Sequence, residues 1–211
     1  MDLIATMQGW EFLLRWFHFL AGITWIGLLY YFNLINAHFQ GALEADVRKQ
    51  VVPQLMPRTL WWFRWGAMFT LLSGLLMILW KYFLLGSGFT GDAGLFGSSA
   101  GLWLTMGAFF GTIMWFNVWF IIWPAQQQII TAIVKGEAPD PGLSKKALMA
   151  SRANTFLSVP MLFGMIAGAG HYPSITFGPL WLIIVLGLGF GLAYYMIFQI
   201  GGKVAKEWPV D

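Results

Sequence analysis

Five long apolar stretches alternate with shorter polar connections along this chain. Each is long enough to cross the roughly 30 Å hydrocarbon core of a bilayer, which takes about 20 helical residues. Strands are not expected, because the stretches show no polar alternation and open sheet edges cannot be hydrogen-bonded in lipid. The pattern therefore predicts one all-α membrane domain over residues 1–211, a helix bundle with about five transmembrane spans. The spans are placed near Phe12–Phe39, Leu60–Leu84, Leu102–Trp123, Arg152–His171 and Pro179–Ile200.

The composition agrees with a membrane protein. Hydrophobic residues make up 58% of the chain and charged residues 10%, whereas a soluble domain carries roughly 25% charged residues. The net charge of +3 does not indicate nucleic-acid binding, because the twelve Lys and Arg form no continuous stripe. We therefore expect the lipid bilayer as a partner and no nucleic acid.

Basic residues collect on alternate connections. The segments Gln40–Thr59 and Ala125–Arg152, together with the C-terminal tail, hold nine of the twelve Lys and Arg. The segments Gly86–Gly101 and Tyr172–Gly178 hold none. Cytoplasmic connections are rich in Lys and Arg, so the pattern predicts a multi-pass protein of the inner (cytoplasmic) membrane. Its N-terminus is then outside and its C-terminus cytoplasmic.

Two of the three histidines are candidate cofactor ligands. With the predicted topology, His18 and His171 share the outer half of the membrane, and His38 lies alone at the inner face. At about 100° per residue, His18, Gly22 and Trp25 form one stripe on the first span. Gly22 leaves room beside His18 for a flat molecule. Histidines on two helices can hold a porphyrin as axial ligands, which predicts a haem on His18 and His171 with Gly22 and Trp25 alongside.

Other interpretations of the histidines stay open. A single membrane histidine is more often a hydrogen-bonding residue between helices than a metal ligand. His171 lies nearer the surface than His18, whereas two axial ligands of one haem should lie at similar depth.

The chain has no cysteine, which excludes iron–sulfur clusters, thiolate zinc sites and covalent attachment of c-type haem.

A second group of polar residues lies at the predicted inner end of the spans. Arg152, Asn154, Asn36 and Gln126 combine a forked guanidinium with amides that both donate and accept hydrogen bonds. They are candidate binding residues for a planar anionic substrate. The alternative is structural, with Ser151 as a helix cap, Arg152 reaching lipid phosphate and the glutamines in water.

Three segments resemble one bacterial family. They are Phe17–Tyr31 (FHFLAGITWIGLLYY), Ser151–Phe163 (SRANTFLSVPMLF) and Trp115–Trp119 with the Pro124 region. These are similar to the N-terminal membrane domain of cytochrome-c-linked urate oxidases, also called urate hydroxylases. The resemblance implies an oxidoreductase related to urate oxidation. The fused oxidases carry a c-type cytochrome, which this cysteine-free sequence does not supply, so we expect a stand-alone form with a separate electron acceptor such as cytochrome c, a quinone or a partner subunit.

The opening of the first span is also similar, more distantly, to the haem-binding membrane protoporphyrinogen oxidases. In that family a first-span histidine is thought to ligate haem b, which implies the same role for His18 and makes Lys81 an alternative partner to His171. The resulting hypothesis is a membrane redox protein of electron transport that binds haem b. The competing hypothesis is a non-catalytic accessory or structural subunit of a larger membrane complex. A transporter ranks below both, because the midplane of each span is mostly apolar.

Overall fold

The computed structural model describes residues 4–86, 88–169 and 175–204 of the chain. Within these ranges the protein is all-helical and contains no strand, which confirms the predicted fold class. Five long helices form the structure: α1 (Met7–Ala42), α2 (Ala45–Leu84), α3 (Ser99–Val134), α4 (Pro141–Gly168) and α5 (Pro179–Ile200).

Four of these helices, α1, α2, α3 and α5, are long and apolar enough to cross a membrane. The 28-residue helix α4 is less apolar because it carries charged residues in its first half and, further along, Asn154, Thr155 and Ser158. All three are fully buried, so they face the protein and not lipid. Passage of α4 through the membrane, and the exact extent of each span, stay predictions.

The helices continue beyond the predicted spans into the polar connections. Only Leu43 and Glu44 separate α1 from α2. The α3–α4 connection is also short: α3 ends before Gly136, whose φ of 76° suits glycine, and Asp140 caps α4. The Asp140 side chain accepts a hydrogen bond from the Gly142 amide at 2.8 Å, a capping pattern that stabilises a helix start.

Neighbouring helices run antiparallel. Between α1 and α2, His18 contacts Ser73 while Asn36, further along α1, contacts the earlier Met56. In the α3–α4 pair, Gly164 lies beside Trp103 while the earlier Asn154 lies beside the later Asn117, so these helices are antiparallel too. The α1–α2 and α3–α4 connections therefore share one end of the bundle, which we call the basic end. It carries the described basic residues of both connections. The glycine-rich connection of residues 85–98 lies at the other end.

Glycine brings α3 and α4 into close contact. A Cβ added at Gly164 would lie 2.7 Å from the Trp103 carbonyl oxygen, and one at Gly107 would lie 3.1 Å from the Met161 carbonyl oxygen. Small residues permit such close backbone approach in membranes. By contrast, a Cβ at Gly111 has no neighbour within 4 Å, so the glycine spacing alone did not identify which residues pack.

The main apolar core lies among α1, α2, α3 and α4. Its largest fully buried members are Trp25, Leu29 and Phe63. A smaller core joins α3, α4 and α5 around Trp103. Both α3 and α4 contribute to the two cores, and the buried polar side chains of α4 lie where it packs against its neighbours.

Four helices contain a six-residue π-helical segment. These are Tyr31–Asn36, Leu79–Leu84, Asn117–Ile122 and Tyr195–Ile200. All but Leu79–Leu84 lie at the basic-end halves of their helices. π-Helical segments are rare and often occur at functional sites. The segments on α1 and α3 carry Asn33, Asn36 and Asn117, which belong to the polar contacts described below.

Candidate functional site

His18 is anchored to α2 by a hydrogen bond. Its Nδ1 atom lies 2.9 Å from Ser73 Oγ. The Ser73 hydroxyl lies 2.6 Å from the Phe69 carbonyl oxygen and 3.2 Å from the Thr70 carbonyl oxygen, either of which can accept its only hydrogen. When the hydroxyl donates to one of these carbonyls, Ser73 Oγ accepts from His18 and the proton lies on Nδ1. The lone pair of His18 Nε2 is then available, because the bond made by one ring nitrogen fixes the role of the other.

Gly74 lies beside the same imidazole. A Cβ at Gly74 would lie 3.1 Å from His18 Cε1. A side chain there would press on the ring, so glycine and Ser73 together define where the imidazole sits. One edge of the His18 ring contacts α2. The residue is only partly buried, so the rest of its surface stays accessible from outside the α1–α2 contact.

The predicted stripe of His18, Gly22 and Trp25 does lie on one face of α1, and that face is packed against α2. The nearest neighbour of a Cβ at Gly22 is the Thr70 methyl group, at 4.0 Å. Trp25 is 2% exposed, and a Cβ at Gly66 would lie 3.1 Å from its backbone nitrogen. Trp25 is therefore a core residue of the α1–α2 interface, and Gly22 borders the more open part.

His171, the predicted second axial ligand, lies outside the described residues. Lys81, the alternative, is on the π-helical segment of α2, with its ammonium 5.2 Å from the Tyr82 ring centroid. An ion pair lies on α1 before His18: Arg15 and Glu11 approach to 2.7 Å. Cationic and carboxylate groups thus occur on the helix turns next to His18.

Asn154 connects α4 to α3 at the level of the π-helical segment Asn117–Ile122. Its Oδ1 accepts a hydrogen bond from Asn117 Nδ2 at 2.8 Å, and its Nδ2 donates to the Met114 carbonyl at 2.9 Å. Asn154 is fully buried. Both ends of its amide are used within the protein, so in this arrangement Asn154 holds two helices together.

A second set of polar contacts joins α4 to α1. The Tyr30 hydroxyl lies 3.0 Å from Ser158 Oγ, and Asn33 Nδ2 donates to Ser151 Oγ at 2.8 Å. Ser151 is buried and contacts α1, which differs from the helix-capping role weighed above. Asn33 Oδ1 is buried and has no hydrogen-bond partner within the described residues.

The other candidate substrate residues face different neighbours. Asn36 Nδ2 contacts Met56 Sδ at 3.6 Å, and Asn36 Oδ1 accepts from Gln40 at 3.2 Å. The Arg152 guanidinium lies 5.1 Å from the Phe198 ring centroid on α5. Gln126 is partly exposed on α3. Asn36, Arg152 and Gln126 lie in the basic-end halves of their helices, whereas Asn154 lies at the middle of α4. No hydrogen bond joins these four residues in the described part of the chain.

The histidine and the basic-end residues are far apart. His18 and Asn36 are separated by about 27 Å along α1, at roughly 1.5 Å rise per residue. His38 is also at the basic end, where a Cβ at Gly201 would lie 3.0 Å from its Nε2. Within the described ranges, no group of three or more His, Cys, Asp or Glu side chains could hold a metal ion.

Several contacting residues were not predicted as part of either site. Ser73, Asn117 and Ser158 are single polar residues in otherwise apolar stretches, which was the available signal. Their partners His18, Asn154 and Tyr30 lie on other helices. Pairing them required the helix register, which the pattern along one helix does not contain.

Comparison with known proteins gives a family match. A family model described as urate oxidase N-terminal matches residues 92–210, more than half of the chain. The matched range covers α3, α4 and α5, and α1 with His18 precedes it. No curated protein and no solved structure matches the chain.

Proposed function

Because this chain belongs to the urate oxidase N-terminal family, we propose that it is a membrane redox protein that binds haem b through His18 and passes electrons from substrate to a separate acceptor. Family membership and the membrane-compatible helices support a urate oxidase-related membrane domain. Haem and electron transfer are the part that remains to be tested.

The observation that carries the proposal is the contact between His18 and Ser73. Histidine ligands of metals usually donate their other ring N–H to an oxygen, which fixes the tautomer and orients the ring. The 2.9 Å contact with Ser73 Oγ gives His18 this arrangement. His18 Nε2 would hold the iron, with His171 as the preferred second ligand and Lys81 as the alternative.

Bound haem would supply a one-electron carrier, and the protein's own residues would set its position. Ser73 and Gly74 fix the imidazole from the α2 side. Arg15, one turn from His18, offers a cation at the same end of the membrane. The electrons would then leave to a separate acceptor such as cytochrome c, a quinone or a partner subunit.

The proposal is tested by the optical spectrum of the purified protein in detergent. We expect a Soret band that shifts on reduction with dithionite. His18→Ala should lose the band, whereas His38→Ala should keep it because His38 lies at the opposite end against α5. Both variants should elute like the wild type in size-exclusion chromatography. Full haem occupancy in folded His18→Ala would remove His18 as a ligand.

Urate binding is a separate question from haem binding. Arg152 is the one cation of the candidate substrate group, and it forms no ion pair within the described residues. If this group binds urate, Arg152→Ala should weaken binding while Arg58→Ala, an exposed arginine on α2, should not. Equal affinity in all three proteins would assign Arg152 a structural role, and the substrate site would then be sought near His171 and Tyr172.

One observation favours the accessory-subunit alternative. Asn154 and Asn36, two of the four candidate substrate residues, are already engaged in hydrogen bonds inside the bundle. Polar residues between membrane helices often serve only to associate them. A colourless preparation that copurifies with a second membrane protein would support this alternative over a redox role.

A further inference from the structure

Arg64 on α2 is surrounded by tryptophan rings. Its guanidinium carbon lies 4.0 Å from the ring centroid of Trp123, 5.1 Å from that of Trp119 and 5.9 Å from that of Trp65. Trp119 and Trp123 belong to α3, so the arginine lies at the α2–α3 contact. Trp119 also donates its indole N–H to the Arg64 carbonyl oxygen at 3.2 Å, which fixes the indole beside the cation.

This cation has no anionic partner in the described part of the chain. The ion pairs there join Arg15 to Glu11 and Lys49 to Asp46. Arg64 Nε is buried and has no hydrogen-bond partner among those residues. A guanidinium carries five N–H donors, and a charge left unpaired at membrane depth is costly. The aromatic faces offset part of that cost, but they accept no hydrogen bond in the plane of the guanidinium.

The location of Arg64 indicates what supplies the anion. It lies near the start of the apolar part of α2, on the basic-end side, and its side chain is partly exposed. Trp61 and Trp62, on the preceding turn, are exposed. Tryptophan is enriched at the boundary between hydrocarbon and headgroups. At that depth the phosphate groups of phospholipids are the abundant anions.

We propose that Arg64 and its three tryptophans form a binding site for the phosphate group of an anionic phospholipid. The two terminal nitrogens of the guanidinium offer parallel N–H groups to two phosphate oxygens, a geometry that lysine cannot reproduce, whereas the buried Nε does not reach the lipid. The guanidinium carbon lies over the ring of Trp123, which stabilises the cation at this position. An anionic headgroup fits better than a zwitterionic one, since the latter would bring its own cation towards Arg64.

Native mass spectrometry of the detergent-purified protein with added phosphatidylglycerol or phosphatidylcholine tests the site. The wild type should retain phosphatidylglycerol preferentially. Arg64→Gln should reduce that retention about tenfold or more, the effect expected for losing a charged hydrogen-bonding group. Arg58→Gln, which removes an exposed arginine on the same helix, should retain the lipid as the wild type does.

Two further variants and a competition experiment with inorganic phosphate test the lipid assignment more closely. Arg64→Lys keeps the charge but loses the fork, and Trp123→Leu keeps the arginine but loses its supporting ring; both should retain less phosphatidylglycerol. Unchanged retention in folded Arg64→Gln or Arg64→Lys overturns the proposal. Displacement of the lipid by millimolar inorganic phosphate would assign the site to free phosphate and would contradict the lipid assignment.

Discussion

His18 Nδ1 on α1 lies 2.9 Å from Ser73 Oγ on α2, and the same serine hydroxyl donates to the Phe69 carbonyl at 2.6 Å. The two contacts form a chain in which the backbone of α2 determines the direction of the hydroxyl, and the hydroxyl determines the tautomer of the imidazole. A histidine on one helix is thereby oriented by the backbone of the next. This arrangement suits a metal ligand and also stabilises the α1–α2 contact.

Removing the serine hydroxyl tests which of these roles His18 has. If His18 ligates haem, Ser73→Ala should keep the haem but lower its affinity about 10- to 100-fold, as is typical when a partner of a ligating histidine is lost. Haem titration into the apoprotein measures this change. Thr112→Ala, which removes an exposed hydroxyl on α3, is the matched control. Identical affinity in Ser73→Ala would show that the contact serves packing alone.

The Asn117–Asn154 pair should stabilise the bundle. Asn154→Leu leaves Asn117 Nδ2 without its partner on α4 and removes the side-chain hydrogen bond to the Met114 carbonyl, and we expect a loss of about 1–3 kcal/mol in the free energy of unfolding. Thermal or denaturant unfolding in detergent measures the loss. Gln126→Leu, at a partly exposed position on α3, should change stability little. A double-mutant cycle with Asn117→Leu should show coupling; strictly additive effects would contradict the contact.

Gly164 should not tolerate a larger residue. Because a Cβ there would lie 2.7 Å from the Trp103 carbonyl oxygen, Gly164→Ala forces α3 and α4 apart at an expected cost of about 1–3 kcal/mol. Gly111→Ala is the control, since its Cβ meets nothing within 4 Å. The melting temperature of each variant in detergent reports the difference. Equal melting temperatures would indicate that α3 and α4 do not pack this closely.

The orientation in the membrane is tested with fusion reporters. The basic residues of the α1–α2 and α3–α4 connections predict that the basic end is cytoplasmic. A fluorescent protein fused after Asp211 should therefore be bright, and alkaline phosphatase fused there should be inactive. Active phosphatase at that position would reverse the orientation, and His18 would then lie in the cytoplasmic half.

The sequence predicted the helices better than their contacts. Apolar length located all five helices, and the start of α5 at Pro179 agreed with the predicted span. The spans were predicted from apolar length alone, yet the polar residues from Ala45 onwards are helical too, because a short turn at Leu43 and Glu44 is enough to reverse the chain. Charge and polarity there reflect contact with water and headgroups, which helices tolerate.

For the candidate site residues too, the sequence predicted positions along a helix better than contacts between helices. Helical periodicity correctly put His18, Gly22 and Trp25 on one face, but it could not show that α2 covers that face. Polarity marked Arg152 and Asn154 together because they are close in sequence. At two residues apart they point to different sides of α4, so Asn154 contacts α3 and Arg152 contacts α5. Which helices are neighbours is a property of the whole bundle.

The most direct test of the proposed redox role is anaerobic addition of urate to the oxidised, detergent-purified protein while its optical spectrum is recorded. We expect urate to produce part or all of the spectral change that dithionite produces, and His18→Ala to show neither change. A haem-containing protein that dithionite reduces and urate leaves fully oxidised, with or without an added cytochrome c or quinone, would contradict a urate-linked redox function.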